Sequence, residues 1–275
     1  MRGPTFLFIG PDKSGSKWIH NVLIQHPECF VPVLADPYFF DRYYHRGLEW
    51  YFSLFANAPE SARAVGELSH DYLFSERAAE RIARDLPNIR LLVSLRHPAE
   101  RSFSQYLSMV RAGITRLSFE SALERFPELI DHSRYAVHLN RYLDRFEIGR
   151  IKILWYHNLQ FTPREFADEL FRFLGVGFVD GIPYEKIYNE AGKPRLGMAT
   201  GLARRVVTLM RDLGFVRLVG VTKRSFLRKT FYRPFAPGER PRLAPDTRRR
   251  LIAMFEPDVS SLERLLGVSL QEWRV

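Results

Sequence analysis

A chain of 275 residues, 46% hydrophobic and 14% aromatic, can bury a substantial core, demands no disorder, and fits one domain or one domain with an appendage. Its single cysteine, Cys29, excludes an intrachain disulfide and agrees with a reducing compartment. The net charge of +10 is concentrated: residues 1–195 carry 25 basic and 24 acidic side chains, whereas residues 196–250 carry 14 and 3, and no zinc, RNP or helix-turn-helix pattern accompanies that excess, which argues against nucleic acid as a partner.

The apolar run Phe6-Leu7-Phe8-Ile9 predicts a buried strand over Thr5–Ile9. Gly10 to Ser16 supplies turn residues, and Trp18, Ile19, Val22 and Leu23 then recur at helical spacing, which predicts a helix over Lys17–Gln25. Unpaired N–H groups at the start of such a helix attract phosphate or sulfate, and Lys13 lies inside the turn. Gly10 and Gly15 have the spacing of a nucleotide-triphosphatase P-loop, but Ser16, Lys17 and Trp18 follow, so the hydroxyl that would hold magnesium is missing. An ordinary Gly/Ser-rich turn is the plain alternative.

Further along, Ala64–Glu67, Ile89–Leu95 and Ile151–Tyr156 read as strands, and Ser75–Asp85, Ala99–Arg111 and Pro163–Leu174 as helices. The strand before Arg96-His97-Pro98 leads into a helix with Ser104 eight residues after Arg96. A guanidinium fork and a neutral hydroxyl suit a phosphate group. This βα repeat predicts an α/β fold with a P-loop-like central parallel sheet covered by helices on both faces, and ligands beyond the strands' carboxyl ends. Lys13, Glu67 and Arg96 fall at or just after such ends. Leu202, Val206, Leu209, Met210 and Leu213 recur at helical spacing, with Arg204, Arg205 and Arg211 on other faces, so an arginine-rich, mainly helical C-terminal appendage is expected. Ala236 to Pro241 reads as a connection before a last helix, Asp246 to Leu266.

Lys13, two residues before Gly15, resembles the lysine of the K-x-G-[ST]-[ST] loop in sulfotransferases that use 3'-phosphoadenosine 5'-phosphosulfate (PAPS). The strand ending in Arg96-His97-Pro98, with Ser104 eight residues on, resembles the same family's 3'-phosphate motif. Asp36 to Phe40, His45 to Tyr51, Gly66 to Tyr72, Ser133 to Tyr135, Phe173 to Gly175, Asn189 to Lys193, and Leu265 to Gly267 with Trp273 also stand in the order of the carbohydrate-type members. The departures are Lys17 where a second hydroxyl is usual, Ala35 for a lysine and His70 for a proline.

The resemblance implies PAPS as donor, adenosine 3',5'-bisphosphate as product, and no metal requirement. It assigns Lys13, Ser14, Gly15, Ser16, Lys17, Trp18, Arg96, Ser104, Gly192 and Lys193 to the donor. Lys13 would stabilise the leaving phosphate and Glu67 would act as general base, with His70 as competitor for that role. The expected acceptor is a small molecule, carbohydrate or lipid, and a bacterial, cytoplasmic enzyme is expected because neither a signal peptide nor a spanning apolar run is present. Residues 1–195 are expected to form the PAPS-binding core, 196–240 an appendage or lid, and 241–275 a C-terminal helix packing back on the core. Contact of residues 197–250 with an anionic membrane surface is a further expectation. A P-loop small-molecule kinase and a non-catalytic basic polyanion- or membrane-binding module remain the alternatives.

Overall fold

Phe6, Leu7, Phe8 and Ile9 have no exposed surface, so both faces of the strand they form are covered. In the computed structural model, which describes residues 3–32, 36–186, 192–194, 232–234 and 241–275, this strand is β1 (Phe6–Gly10). The arginine-rich helix expected around Leu202 to Leu213, with Arg204, Arg205 and Arg211, lies outside the described residues, as does Ala35.

The elements that follow are α1 (Ser16–Leu23), β2 (Cys29–Phe30), α2 (Gly47–Ser53), β3 (Ala64–Leu68), α3 (Glu76–Asp85), β4 (Arg90–Leu95), α4 (Pro98–Arg111), α5 (Phe119–Arg125), α6 (Glu128–Asp131), α7 (Tyr135–Leu143), β5 (Ile151–Trp155), α8 (Tyr156–Phe161) and α9 (Pro163–Leu174). Then come the short β6 (Gly192–Pro194) and β7 (Tyr232–Pro234), and α10 (Pro245–Leu266). Each expected strand and helix among the described residues is present, with ends shifted by a residue or two. Tyr156, expected to end a strand, instead opens α8.

Two compact units divide the chain: residues 1–96, 135–188 and 264–266 form the first, and residues 97–134, 189–263 and 267–275 the second. The breaks after Arg96 and Arg134 fall inside the stretch expected to be one core of residues 1–195.

The first unit holds a five-stranded sheet in the order β2-β3-β1-β4-β5, with every neighbouring pair parallel. Phe6 is in register with Gly66 on one side and Arg90 on the other. Phe6 and Phe8 pack with Trp18, Ile19, Val22 and Leu23 of α1 and with Phe166, Leu170, Phe171 and Leu174 of α9. Leu7 and Ile9 point to the opposite face and are equally buried. Alternation along one strand therefore feeds two covered faces, and the chain ends that leave β1, β3 and β4 emerge at one edge of the sheet.

In the second unit α4 starts with Pro98, whose missing N–H suits a first helical turn. Arg101 on α4 is fully buried and donates to Ser133 Oγ (2.6 Å), Gln105 Oε1 (2.7 Å) and the Leu129 carbonyl (3.2 Å). On α10, Glu256 and Glu263 clamp Arg274 at 3.0 and 2.7 Å. Among the described residues, no helix is long and apolar enough to cross a membrane.

Candidate active site

Beyond β1 the backbone makes a turn that side chains would obstruct. Gly10 has φ +130, and a Cβ there would stand 2.2 Å from the His70 carbonyl oxygen. Gly15, at φ +96, is the N-cap of α1 and has no side chain to offer the first amides of the helix. Those amides keep their partial positive charge for an anion. Lys13 itself sits in the left-handed region at φ +65 and pairs with Asp12 at 3.5 Å. A non-glycine residue held there costs about 1–2 kcal/mol, so the surrounding contacts must fix it.

Two of those contacts come from β4 and the residue after it. Ser94 Oγ donates to the Ser14 carbonyl at 2.6 Å, and Arg96 Nη1 donates to the Lys13 carbonyl at 3.3 Å. The Arg96 guanidinium lies 4.7 Å over the Tyr156 ring, and the Arg96 carbonyl accepts from Tyr135 Oη at 2.7 Å. Tyr156 and Leu159 of α8 also pack on Gly15. Tyr156 therefore touches both phosphate-binding candidates, a role the sequence reading did not foresee.

The remaining donor candidates divide. Ser14 is fully buried, Ser16 is half-buried and Lys17 is exposed. The Trp18 ring is in the core, edge-on to Phe166, and its Nε1 donates to the Tyr184 carbonyl at 2.8 Å. Trp18 can thus offer a donor its backbone N–H but not its side chain. Ser104, half-buried on α4, belongs to the second unit and Arg96 to the first. His97 occupies the position before α4 without a capping side-chain bond. Gly192 and Lys193 lie in β6, which pairs antiparallel with β7.

After β3 the chain presents His70. Its Nδ1 is 3.0 Å from Asp36 Oδ1, and its Nε2 is 2.9 Å from Tyr38 Oη and 3.4 Å from Asp71 Oδ1. Burial pulls the imidazole pKa down, but the carboxylates of Asp36, Asp71 and Asp12 outweigh it and the net direction is up. Arg42 stacks over Tyr38 at 4.2 Å and pairs with Asp71 and Asp41.

Glu67 is in a different setting. It has no exposed surface, and three hydroxyls converge on it: Ser69 Oγ at 2.6 Å, Tyr72 Oη at 2.8 Å and Tyr51 Oη at 3.4 Å. Burial pushes its pKa up to about 8 against the hydrogen bonds from Ser69 and Tyr72. A carboxylate enclosed in this way has no open side from which to meet an acceptor. His70 and Asp36, each with about a quarter of the side chain exposed, do. Asp36 opens the segment Asp36 to Phe40, but nothing local ties it to His70, 34 residues away.

The likeness to known proteins covers most of the chain. Residues 4–189 match the sulfotransferase domain family. Mouse heparan sulfate glucosamine 3-O-sulfotransferase 3A1 is 30% identical over 261 residues, covering 84% of this chain and 61% of the relative. Mouse bifunctional heparan sulfate N-deacetylase/N-sulfotransferase 4 is 29% identical over 195 residues, covering 63% of this chain and 22% of the relative. The chain thus spans about three fifths of the first relative and about a fifth of the second. A solved sulfotransferase from Alicyclobacillus acidocaldarius superposes with a TM-score of 0.72 over all of both chains at 24% identity, a likeness of fold. The matched region contains the lysine-bearing loop, the buried glutamate strand and the arginine after β4, and on that basis the chain belongs to the sulfotransferase domain family.

Proposed function

We propose that this chain transfers a sulfuryl group from PAPS to a hydroxyl or amine of an acceptor. The observation that carries the reading is the loop from Gly10 to Ser16, with uncapped helix amides, Lys13 held from behind by Arg96, and no room for a Cβ at Gly10, inside a matched sulfotransferase domain. Such a cradle fits a phosphosulfate better than a magnesium-bridged triphosphate, because no hydroxyl follows Lys17. When bound, PAPS supplies an activated sulfuryl group whose leaving group is a phosphate.

In this reading Lys13 and the first amides of α1 hold the 5'-phosphosulfate, and the Lys13 ammonium meets the negative charge that grows on the departing oxygen. Arg96 takes the 3'-phosphate. The acceptor proton passes to His70 with Asp36, whose carboxylate steadies the imidazole through Nδ1. Glu67, the base implied by family resemblance, is set back from this role by its enclosure. Similarity to heparan sulfate glucosamine 3-O-sulfotransferase 3A1 favours a carbohydrate acceptor.

The test is calorimetric and then catalytic. Adenosine 3',5'-bisphosphate should bind without magnesium, and incubation with PAPS and a panel of glycans, lipids and phenols should give a sulfated product by mass. Lys13→Ala should lower turnover about 10²–10³-fold, as loss of a transition-state donor does, and weaken donor binding much less. Magnesium-dependent binding, or ATP bound more tightly than the bisphosphate, would overturn the donor assignment.

A further inference from the structure

The segment between β2 and α2 carries two of the residues around His70, and its backbone is strained. Asp36 and Tyr38 lie in the left-handed region at φ +57 and +52. For a bulky side chain such a conformation persists only where its surroundings over-determine it. A tight turn, Phe39–Tyr43, follows, and the Arg42 and Tyr43 amides donate to the Tyr38 carbonyl at 2.9 and 3.1 Å.

Two hydroxyls secure the start of this turn. The Tyr38 N–H donates to Ser69 Oγ at 3.0 Å, and the Phe40 N–H donates to Tyr72 Oη at 3.2 Å. Each of these hydroxyls donates onward to a different oxygen of Glu67, Ser69 Oγ to Oε2 and Tyr72 Oη to Oε1. One buried carboxyl group therefore ties both anchors together, one on each of its oxygens. Ser69 is fixed in turn, its own amide bonded to the Phe8 carbonyl of β1 at 2.9 Å.

We propose that Glu67 is a positioning residue: through Ser69 and Tyr72 it holds the backbone of Tyr38 and Phe40, and thereby the approach of Asp36 and Tyr38 to the two nitrogens of His70. The catalytic part of this inference rests on the sulfuryl-transfer reading, whereas the structural part does not. Glu67 is the fourth residue of β3, in register with Leu7 of β1, so the sheet itself sets the position of the reacting groups.

Four variants test it: Ser69→Ala, Tyr72→Phe, Glu67→Ala and Glu67→Gln. Amide hydrogen exchange of Tyr38 and Phe40 is read first. Ser69→Ala should speed exchange at Tyr38, Tyr72→Phe at Phe40 and Glu67→Ala at both, each by about threefold to tenfold, the change expected from losing one net hydrogen bond. Glu67→Gln, which keeps a carbonyl oxygen for Tyr72 and an N–H for Ser69, should restore most of the protection lost in Glu67→Ala.

Turnover with PAPS is read second. It should follow the amide protection across the series, with kcat falling and affinity for adenosine 3',5'-bisphosphate little changed, and Glu67→Gln should keep the acid limb of the pH–rate profile. Unchanged exchange at Tyr38 and Phe40 in Glu67→Ala overturns the inference whether or not any acceptor is sulfated. Glu67→Gln losing turnover and the acid limb while Ser69→Ala and Tyr72→Phe keep both also overturns it, and makes Glu67 the base. Should one variant fail to fold, as judged by its melting curve, the others carry the same comparison. A wild type that sulfates nothing tests the proposed function alone, because the exchange measurements stand without it.

Discussion

Arg96 holds the Lys13 carbonyl at 3.3 Å with one guanidinium nitrogen while its planar group lies 4.7 Å over Tyr156. One side chain thus braces the lysine loop from behind and carries the positive charge that a phosphate would meet. Arg96→Ala should weaken adenosine 3',5'-bisphosphate by about 1.5–3 kcal/mol, the range for a hydrogen bond to a charged group. Binding of adenosine 5'-phosphosulfate, which lacks the 3'-phosphate, should suffer much less. Titration of both ligands into wild type and variant decides the point, and equal losses would count against a 3'-phosphate contact.

The two glycines of the loop should differ in their tolerance of a methyl group. At Gly15 the added Cβ meets the end of the Leu159 side chain at 2.6 Å, which can swing aside, leaving mainly the cost of φ +96. At Gly10 it meets a backbone oxygen, that of His70, at 2.2 Å, so β1 or the residues after β3 must shift. Gly10→Ala should therefore lower the unfolding midpoint more than Gly15→Ala. Reversed order in urea unfolding would show that the loop, not its contact with His70, limits the substitution.

The buried acids set a direction for stability against pH. Glu67, with a usual pKa of 4.5, is pushed up to about 8, and Asp41, usually 3.8, to about 6. Each folded group keeps a proton that the unfolded chain releases, so its contribution is present below the ordinary value and is lost as pH rises through the folded one. For each such group stability falls by up to about 1.4 kcal/mol per pH unit within that window. His70, also raised, acts with the same sign above its usual 6.5. Denaturant unfolding at pH 5 and pH 8 should show the wild type losing more stability than Glu67→Gln over that interval. Parallel losses in the two proteins would show that Glu67 titrates normally when folded.

Much of this architecture is legible in the sequence, for a physical reason. Phe6 to Ile9, Arg90 to Leu95 and the helices after them announce themselves through local periodicity, and the lysine loop through its small residues. The pairing of Asp36 with His70 was not legible, because it joins residues 34 apart through a strained turn that no spacing encodes. Glu67 was noticed as a carboxylate at the end of a strand, but its enclosure depends on Tyr51, Ser69 and Tyr72 arriving from different elements. Trp18 read equally well as part of a ligand loop or of a helix's apolar face, and packing against Phe166 decided its side chain for the core. The two-residue β2 is too short to carry any pattern.

The strand order has a consequence for behaviour at high concentration. Its two outermost members are β2, with two residues, and β5, with five, while β1, β3 and β4 lie inside. Exposed strand edges recruit other chains, and short or lysine-bearing edges resist it. On β5, Lys152 is paired with Glu169 at 2.6 Å, so a second chain adding there would have to sit against a fixed ion pair. Self-association by strand addition therefore has little backbone to work with among the described residues, and the hydrophobic strands remain out of reach until the sheet itself opens.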